Sequence, residues 1–277
     1  MSSLLLSVLR DSNRVSSVSQ LLCPVRDCHL PLARRERTLA CERGHSFDIA
    51  RSGYVNLLQP QDRRSANPGD TETAIAARRR LHDRGVTRPL AEGIAAMLHL
   101  QPDDEVLDAG CGDGFYLDHM VREAECSGRG VDISVASIDA AARRYPECEW
   151  IVANADRFVP YADASFSVVL SITARHNAPE FHRVLTRDGR LLVALPSPDD
   201  LAELRGPGRD RVQRTIEAFS KDFALTNQER VSASADFGVD EVRDVLHSIY
   251  RPLRSKPVEA TRLTFSLDLL LFRPVTS

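Results

Sequence analysis

Residues 105–114 read Glu-Val-Leu-Asp-Ala-Gly-Cys-Gly-Asp-Gly, a short apolar run that ends on a carboxylate and breaks into three alternating glycines. A strand that stops at Asp108 and turns through Gly110, Gly112 and Gly114 into a helix exposes bare backbone at the carboxyl end of a sheet. The following residues repeat the alternation. A helix is predicted to about residue 125, a strand at 130–133, a helix at 136–144, and strands at 150–153 and 167–172. Then come a helix at 179–186, a turn at Asp188-Gly189 and a strand at 190–195. Upstream, 90–100 has helical spacing, ended by Gln101-Pro102-Asp103-Asp104. Strands alternating with helices predict an α/β fold: a doubly wound, Rossmann-like parallel sheet with its ligand at the carboxyl ends of the strands.

The glycine spacing also narrows the ligand. Gly-x-Gly-x-Gly differs from the Gly-x-Gly-x-x-Gly of dinucleotide sites, and Asp108 and Asp113 would repel a phosphate placed between them. Asp132 closes the second strand, placed to accept hydrogen bonds from both hydroxyls of a ribose. A zwitterion carrying a positive sulfonium suits these carboxylates, and S-adenosylmethionine is such a molecule. The expected cofactor residues are Asp108, Gly110, Gly112, Asp113, Gly114 and Asp132, with Asn154 and Ala155 at the adenine edge after the third strand.

Three of the six cysteines lie within the first fifty residues. Cys23 and Cys28 are followed by Cys41 and His45, a Cys-x4-Cys, x12, Cys-x3-His pattern that offers a tetrahedral shell for zinc. Four protein ligands leave no open position, so the Zn2+ is expected to be structural. Two ligand pairs joined by a short hairpin describe a zinc ribbon, and a segment of this size needs the metal to fold. His29, next to a thiolate ligand, is expected to face solvent.

Composition excludes several classes. Of the 277 residues 43% are hydrophobic and 27% charged, which suits a chain that buries a core and rules out a disordered tail. No apolar run reaches the roughly 18 residues of a membrane helix, so no membrane partner is expected. The stretch Leu4–Leu9 has no basic region before it, and a cytoplasmic location is expected. Charge is unevenly spread: residues 1–100 hold fifteen arginines and ten acidic residues, against a net −3 for the whole chain. Arg34, Arg35, Arg37, Arg43 and Arg51 surround the ribbon, where guanidinium groups could pair with RNA phosphate or form a solvated surface.

The chain resembles the bacterial 23S rRNA (guanine-N1)-methyltransferase family. The resemblance rests on the ribbon, on Gly44-His45-Ser46-Phe47-Asp48 and on Gly53-Tyr54-Val55-Asn56-Leu57-Leu58. It extends through Asn67-Pro68-Gly69-Asp70, Ala77-Arg78-Arg79, Val106–Gly112 and Gly130-Val131-Asp132-Ile133-Ser134, covering about residues 22–205. It implies a ribbon that helps recognise an rRNA hairpin, methyl transfer to N1 of a guanine, and pairing as a homodimer. It carries the zinc over to Cys23, Cys28, Cys41 and His45, and adds Thr87 and Ile133 to the cofactor set. Thr87 stands where the family tends to have an aromatic. The first ligand pair is two residues longer than the usual Cys-x2-Cys. Thr173–Asn177 replaces an expected Ala-Pro, and the C-terminal third keeps little of the family pattern.

N1 of guanine carries a proton at neutral pH, so methyl transfer needs an acceptor nearby. His176 and Asp156, after the fourth and third strands, are the candidate catalytic residues. Arg78, Arg79 and Arg80 are consecutive on a helix and cannot share one face; one or two of them are expected to meet RNA. The layout reads as an extension at 1–20, a zinc-ribbon module at 21–60, a helical connector at 61–100 and a methyltransferase domain at 101–277, divergent over 200–277. The basic front and cofactor-binding body suggest separable tasks. Two further readings remain at this point: a methyltransferase of another RNA or a small molecule, and a non-catalytic zinc-ribbon RNA-binding protein.

Overall fold

A computed structural model describes residues 20–62, 69–249 and 258–275. All of the expected N-terminal extension but Gln20, and Asn67-Pro68, lie outside the described residues. The ribbon is a three-stranded antiparallel sheet of β1 (Ala33–Arg35), β2 (Thr38–Ala40) and β3 (Ser46–Asp48), in that order. After β4 (Val55–Asn56) come helices α1 (Glu72–Asp83) and α2 (Arg88–Leu98). The alternating body then runs β5 (Glu105–Ala109), α3 (Phe115–Ala124), β6 (Ser127–Asp132), α4 (Val135–Arg144), β7 (Glu149–Val152), β8 (Phe166–Ile172), α5 (Ala178–Val184) and β9 (Leu185–Pro196). It closes with α6 (Ala202–Arg205), α7 (Val212–Phe219), β10 (Phe223–Phe237), α8 (Val239–Ser248) and β11 (Thr261–Pro274).

The large sheet has the order β10-β11-β9-β8-β5-β6-β7-β4. Its β4 to β9 portion is parallel, as the alternation predicts, and strand order reverses at β5. Local chemistry sets the helix starts that matter here. Thr71 caps α1 by accepting from the Ala74 N–H at 3.2 Å, and Ser134 caps α4 through the Ser137 N–H at 3.2 Å. The expected Asp188-Gly189 turn is a bend inside β9, where the pairing jumps from Phe166↔Leu185 to Val168↔Arg190.

Two features lay beyond the sequence reading. The C-terminal part adds two long strands, with β11 antiparallel to both β9 and β10, so the sheet is mixed. The ribbon is also fused to the body. Val55 and Asn56 pair in parallel with Ile151 and Val152, extending the sheet by a strand. Leu57 and Leu58 behind them are buried.

The sheet faces divide the core by alternation. Val106, Val168, Leu170 and Leu192 pack with helices α2, α3 and α4 on one side. Leu107, Val169, Leu191 and Val193 pack on the other side in one continuous cluster with Leu32, Leu39, Cys23 and Cys41 of the ribbon. The two modules thus share one apolar core.

Candidate active site and metal centre

Cys23, Cys28, Cys41 and His45 converge, with their ligand atoms all within 4.8 Å of one another. The Cys23 and Cys41 sulfurs lie 3.3 and 3.4 Å from His45 Nδ1, and the Cys28 and Cys41 sulfurs are 3.8 Å apart. A tetrahedral zinc, with bonds of about 2.3 Å to sulfur and about 2.0–2.1 Å to nitrogen, requires separations of about 3.6–3.8 Å. The four residues therefore fit a closed structural Zn2+ site. His29 is exposed as expected, and its ring stacks on Phe158 at 4.3 Å, which helps dock the ribbon on the body.

At the end of β5, Gly110, Gly112 and Gly114 all take positive φ, at 91, 55 and 82°. Their uses differ. A Cβ on Gly114 would stand 2.3 Å from Trp150 Cη2, so this position is bare to make room for the indole. A Cβ on Gly112 would meet only the tip of Arg78, at 3.4 Å, which leaves Gly112 as the backbone a ligand can approach. Gly110 lies under Ala174 of the loop after β8. That loop begins with Thr173 at φ 51°, a strained conformation for a β-branched residue, and Ser171 Oγ donates to the Arg175 carbonyl at 3.4 Å within it.

Asp132 ends β6 with both carboxylate oxygens oriented by backbone donors. The Gly112 N–H reaches Oδ2 at 3.0 Å and the Ser134 N–H reaches Oδ1 at 2.8 Å. A carboxylate held this way keeps lone pairs for a ribose diol. Ile133 follows it, half-buried. Burial raises the Asp132 pKa despite the two amides. Asp108, 1% exposed, has no partner at Oδ1, and burial together with nearby Asp132 pushes its carboxyl up to about 8. An orphaned carboxylate oxygen among Asp108, Asp113 and Asp132 calls for a cation. The ammonium and sulfonium of S-adenosylmethionine meet that need, so the residues fit the cofactor.

The remaining expected residues occupy defined places. Asp113 is buried, 3.8 Å from Nε2 of His82. Burial, reinforced by Arg78 and Arg144, pushes His82 down to about 3 and keeps it neutral. Its ring stacks on Phe115 at 3.9 Å, and Nδ1 lies 2.7 Å from the Thr87 hydroxyl. Thr87 therefore meets the His82 ring, which lies beside Asp113. Asn154 uses its side chain on the chain itself, accepting from the Asp156 N–H at 3.2 Å and donating to the Asp62 carbonyl at 3.3 Å.

Asn177 ties the loops after β7 and β8 together by donating to the carbonyls of Ala155 and Asp156 at 3.1 and 3.0 Å. Asp156 is exposed and pairs with Arg175 at 3.5 Å. His176, exposed at the surface, sets its ring edge-on against Phe219 at 5.4 Å, and partial desolvation lowers its pKa. The residues that sequence reasoning missed as parts of the site are Asp70, His82 and Tyr116, whose ring meets that of His82 edge-on.

Of the arginine triplet, Arg78 and Arg79 are half-buried and Arg80 is exposed. Arg78 pairs with Asp70 at 2.7 Å, Arg79 donates to the Ala140 carbonyl at 3.4 Å, and Arg80 forms a two-bond pair with Asp244. Arg80 is thus the member of the triplet most accessible to RNA, as an exposed guanidinium paired with Asp244. On the ribbon Arg34, Arg35, Arg37, Arg43 and Arg51 are all exposed. Between β3 and the 54–59 segment lies a cleft of about 380 Å³, lined by Phe47, Asp48, Tyr54, Asn56 and Gln59 among others.

Comparison with known proteins accords with this geometry. Residues 21–66 match a zinc-ribbon family described as "RlmA, N-terminal", and residues 106–193 match a family described as "Methyltransferase domain". The "23S rRNA (guanine(748)-N(1))-methyltransferase" of Streptomyces fradiae is 37% identical over 229 residues, covering 79% of this chain and 80% of the relative. A Bacillus subtilis (strain 168) protein with a name beginning "Putative 23S rRNA (guanine-N(1)-)-methyltransferase" is 34% identical, covering 69% of this chain and 70% of its own. Among solved structures, one from the "Complex between the Haloferax volcanii Trm112 methyltransferase activator and the putative methyltransferase" overlays with a TM-score of 0.52. It is 18% identical and covers 74% of this chain and 97% of that one, a likeness of fold.

Proposed function

The chain belongs to the 23S rRNA (guanine-N1)-methyltransferase family, and from that premise we propose that it methylates N1 of the 23S rRNA guanine corresponding to the one in the Streptomyces fradiae name. The observation that carries this reading is the union, on one apolar core, of a Cys3His ribbon bearing exposed arginines and a glycine turn flanked by Asp108 and Asp132.

When bound, the cofactor supplies an electrophilic methyl group on a positively charged sulfur. The chain supplies position, which contributes most of the rate in an in-line transfer. Asp132, held by the Gly112 and Ser134 amides, fixes the ribose. Asp108 balances positive charge. Ala155 and the Asn154 backbone border the adenine, while Gly110, Gly112 and Gly114 shape the floor. His82, positioned by the Thr87 hydroxyl, lies beside Asp113.

His176 and Asp156 are the proposed acceptors for the N1 proton, one on each of the loops that Asn177 joins. His176, with its pKa lowered by desolvation, is neutral and able to accept at pH 7. The exposed ribbon arginines supply an electrostatic grip on a 23S rRNA hairpin. Pairing into a homodimer, as the resemblance implies, would set two such ribbons against one RNA. No helix among the described residues is long and apolar enough to cross a membrane, and action on rRNA accords with a cytoplasmic setting.

Incubating the zinc-loaded protein with S-adenosylmethionine and a transcript of the corresponding hairpin tests the proposal. N1-methylguanine at the single target guanine is the expected product. Methylation elsewhere, or of a transcript in which that guanine is replaced, would contradict it.

A further inference from the structure

Of the arginine triplet, Arg78 is the one packed against the glycine turn. Its Nη1 sits 3.4 Å from where a Cβ of Gly112 would stand. The same nitrogen donates to Asp70 Oδ2 at 2.7 Å, and Nη2 reaches the Ser248 carbonyl at 3.3 Å. Asp113 and Asp132 also act on its charge. Asp70 itself is held over the start of α4, where Ser134 Oγ donates to its carbonyl at 3.3 Å and Gly69 lies against Ser134 too closely for any side chain.

A guanidinium has five N–H donors in a rigid fork, and one bond to Asp70 and one to a carbonyl leave part of that fork unused. Asp70, Asp113 and Asp132 surround it; Arg79 also acts on Asp113, but it is Arg78 whose guanidinium stands against Gly112. The cofactor has the complementary pattern. Sulfonium and ammonium are cations, adenine and ribose are neutral, and the methionine carboxylate is the sole anion. We propose that Arg78 anchors that α-carboxylate, with Asp70 orienting the guanidinium and Asp108 taking the positive end of the same zwitterion. Bidentate guanidinium–carboxylate pairing is the geometry such a fork favours. The inference rests on the cofactor reading above and adds the residue that selects the amino-acid half.

Calorimetry on the full-length, zinc-loaded protein separates this role from a merely structural one. The probes are S-adenosylhomocysteine, which keeps the carboxylate, and 5′-methylthioadenosine, which lacks the whole amino-acid half. Arg78→Gln should weaken S-adenosylhomocysteine by roughly 10- to 150-fold, the range for losing a hydrogen bond to a charged group. It should leave methylthioadenosine within about two-fold of the parent, with Arg78→Lys intermediate on the first ligand. Unchanged S-adenosylhomocysteine affinity, or an equal loss on both ligands, would overturn the proposal. A second measurement needs no variant: the unaltered protein should prefer S-adenosylmethionine over its decarboxylated form, and equal affinity would overturn the proposal as well. Failure of the unaltered protein to bind either nucleoside would remove the cofactor reading and this inference with it.

Discussion

Replacing Gly114 with alanine separates what the glycine turn does for folding from what it does for the ligand. The new methyl would stand 2.3 Å from Trp150 Cη2 and 2.9 Å from Cζ3. The indole is a poor candidate for retreat, because its Nε1 donates to the Tyr145 carbonyl at 2.8 Å and the residue is 4% exposed. Overpacking against such a ring costs about 1–3 kcal/mol. The positive φ of 82° adds about 1–2 kcal/mol for a residue with a side chain. The sum, about 2–5 kcal/mol, is a large part of a typical domain's stability. Gly112→Ala carries the φ cost alone, since only the tip of Arg78 is near, and should lose about 1–2 kcal/mol. Urea unfolding monitored by the fluorescence of Trp150, the one tryptophan in the sequence, reads both. The order should reverse for S-adenosylhomocysteine affinity, where Gly112→Ala is the more damaging. A Gly114→Ala protein as stable as its parent, or a Gly112→Ala protein that is the less stable of the two, would refute this division.

Burial and Asp132 raise Asp108 to about 8 from the ordinary 3.8, so the folded state holds its proton more tightly and ionising it costs stability progressively as pH rises from about 4 to 8. A cation bound beside it favours the carboxylate, so S-adenosylmethionine affinity should rise with pH toward 8 and binding at pH 7 should release protons. Asp108→Asn should flatten that profile, and a parent protein with no pH dependence from 6 to 8 would contradict the assignment. Chelating the zinc should lower the unfolding midpoint reported by Trp150, because Leu32 and Leu39 pack in one cluster with Leu107 and Val169. An unchanged midpoint would show the ribbon to be energetically independent. Replacing Arg34, Arg35 and Arg37 together with alanine should flatten the logarithmic salt dependence of RNA affinity by roughly 0.7–0.9 for each phosphate these arginines neutralise, whereas an unchanged slope would mark them as solvated surface.

The legible parts of this chain were those written in local chemistry. Asp108, the alternating glycines and Asp132 announce a strand-to-helix turn and a second strand end, found as three positive φ values and a strand that stops at Asp132, because chain reversal depends on short-range sequence. Four zinc ligands at ribbon spacing are equally local. The partners that complete the site are not. His82 gives no signal of its own, and only the fold sets its ring on Phe115 between Thr87 and Asp113. Arg78 and Arg79 read as part of an exposed basic run until Asp70 and the Ala140 carbonyl are brought to them, while Arg80 stays exposed beside Asp244. Gly114 looks like its neighbours in sequence, yet Trp150, thirty-six residues later, decides its role. The ribbon's fusion to the body was hidden for a related reason: β4 is a two-residue strand, identifiable only by its pairing with Ile151 and Val152. The C-terminal hairpin carried its alternation in Thr261–Pro274, a register signal readable in retrospect.

The most direct test of the central claim is mass spectrometry of 23S rRNA from the source organism with and without this gene. N1-methylguanine at the guanine equivalent to that of the Streptomyces fradiae relative should be present in the parent strain, absent from the deletion, and restored by the parent gene but not by one encoding Asp132→Ala. An identical N1-methylguanine pattern in parent and deletion strains would contradict the account.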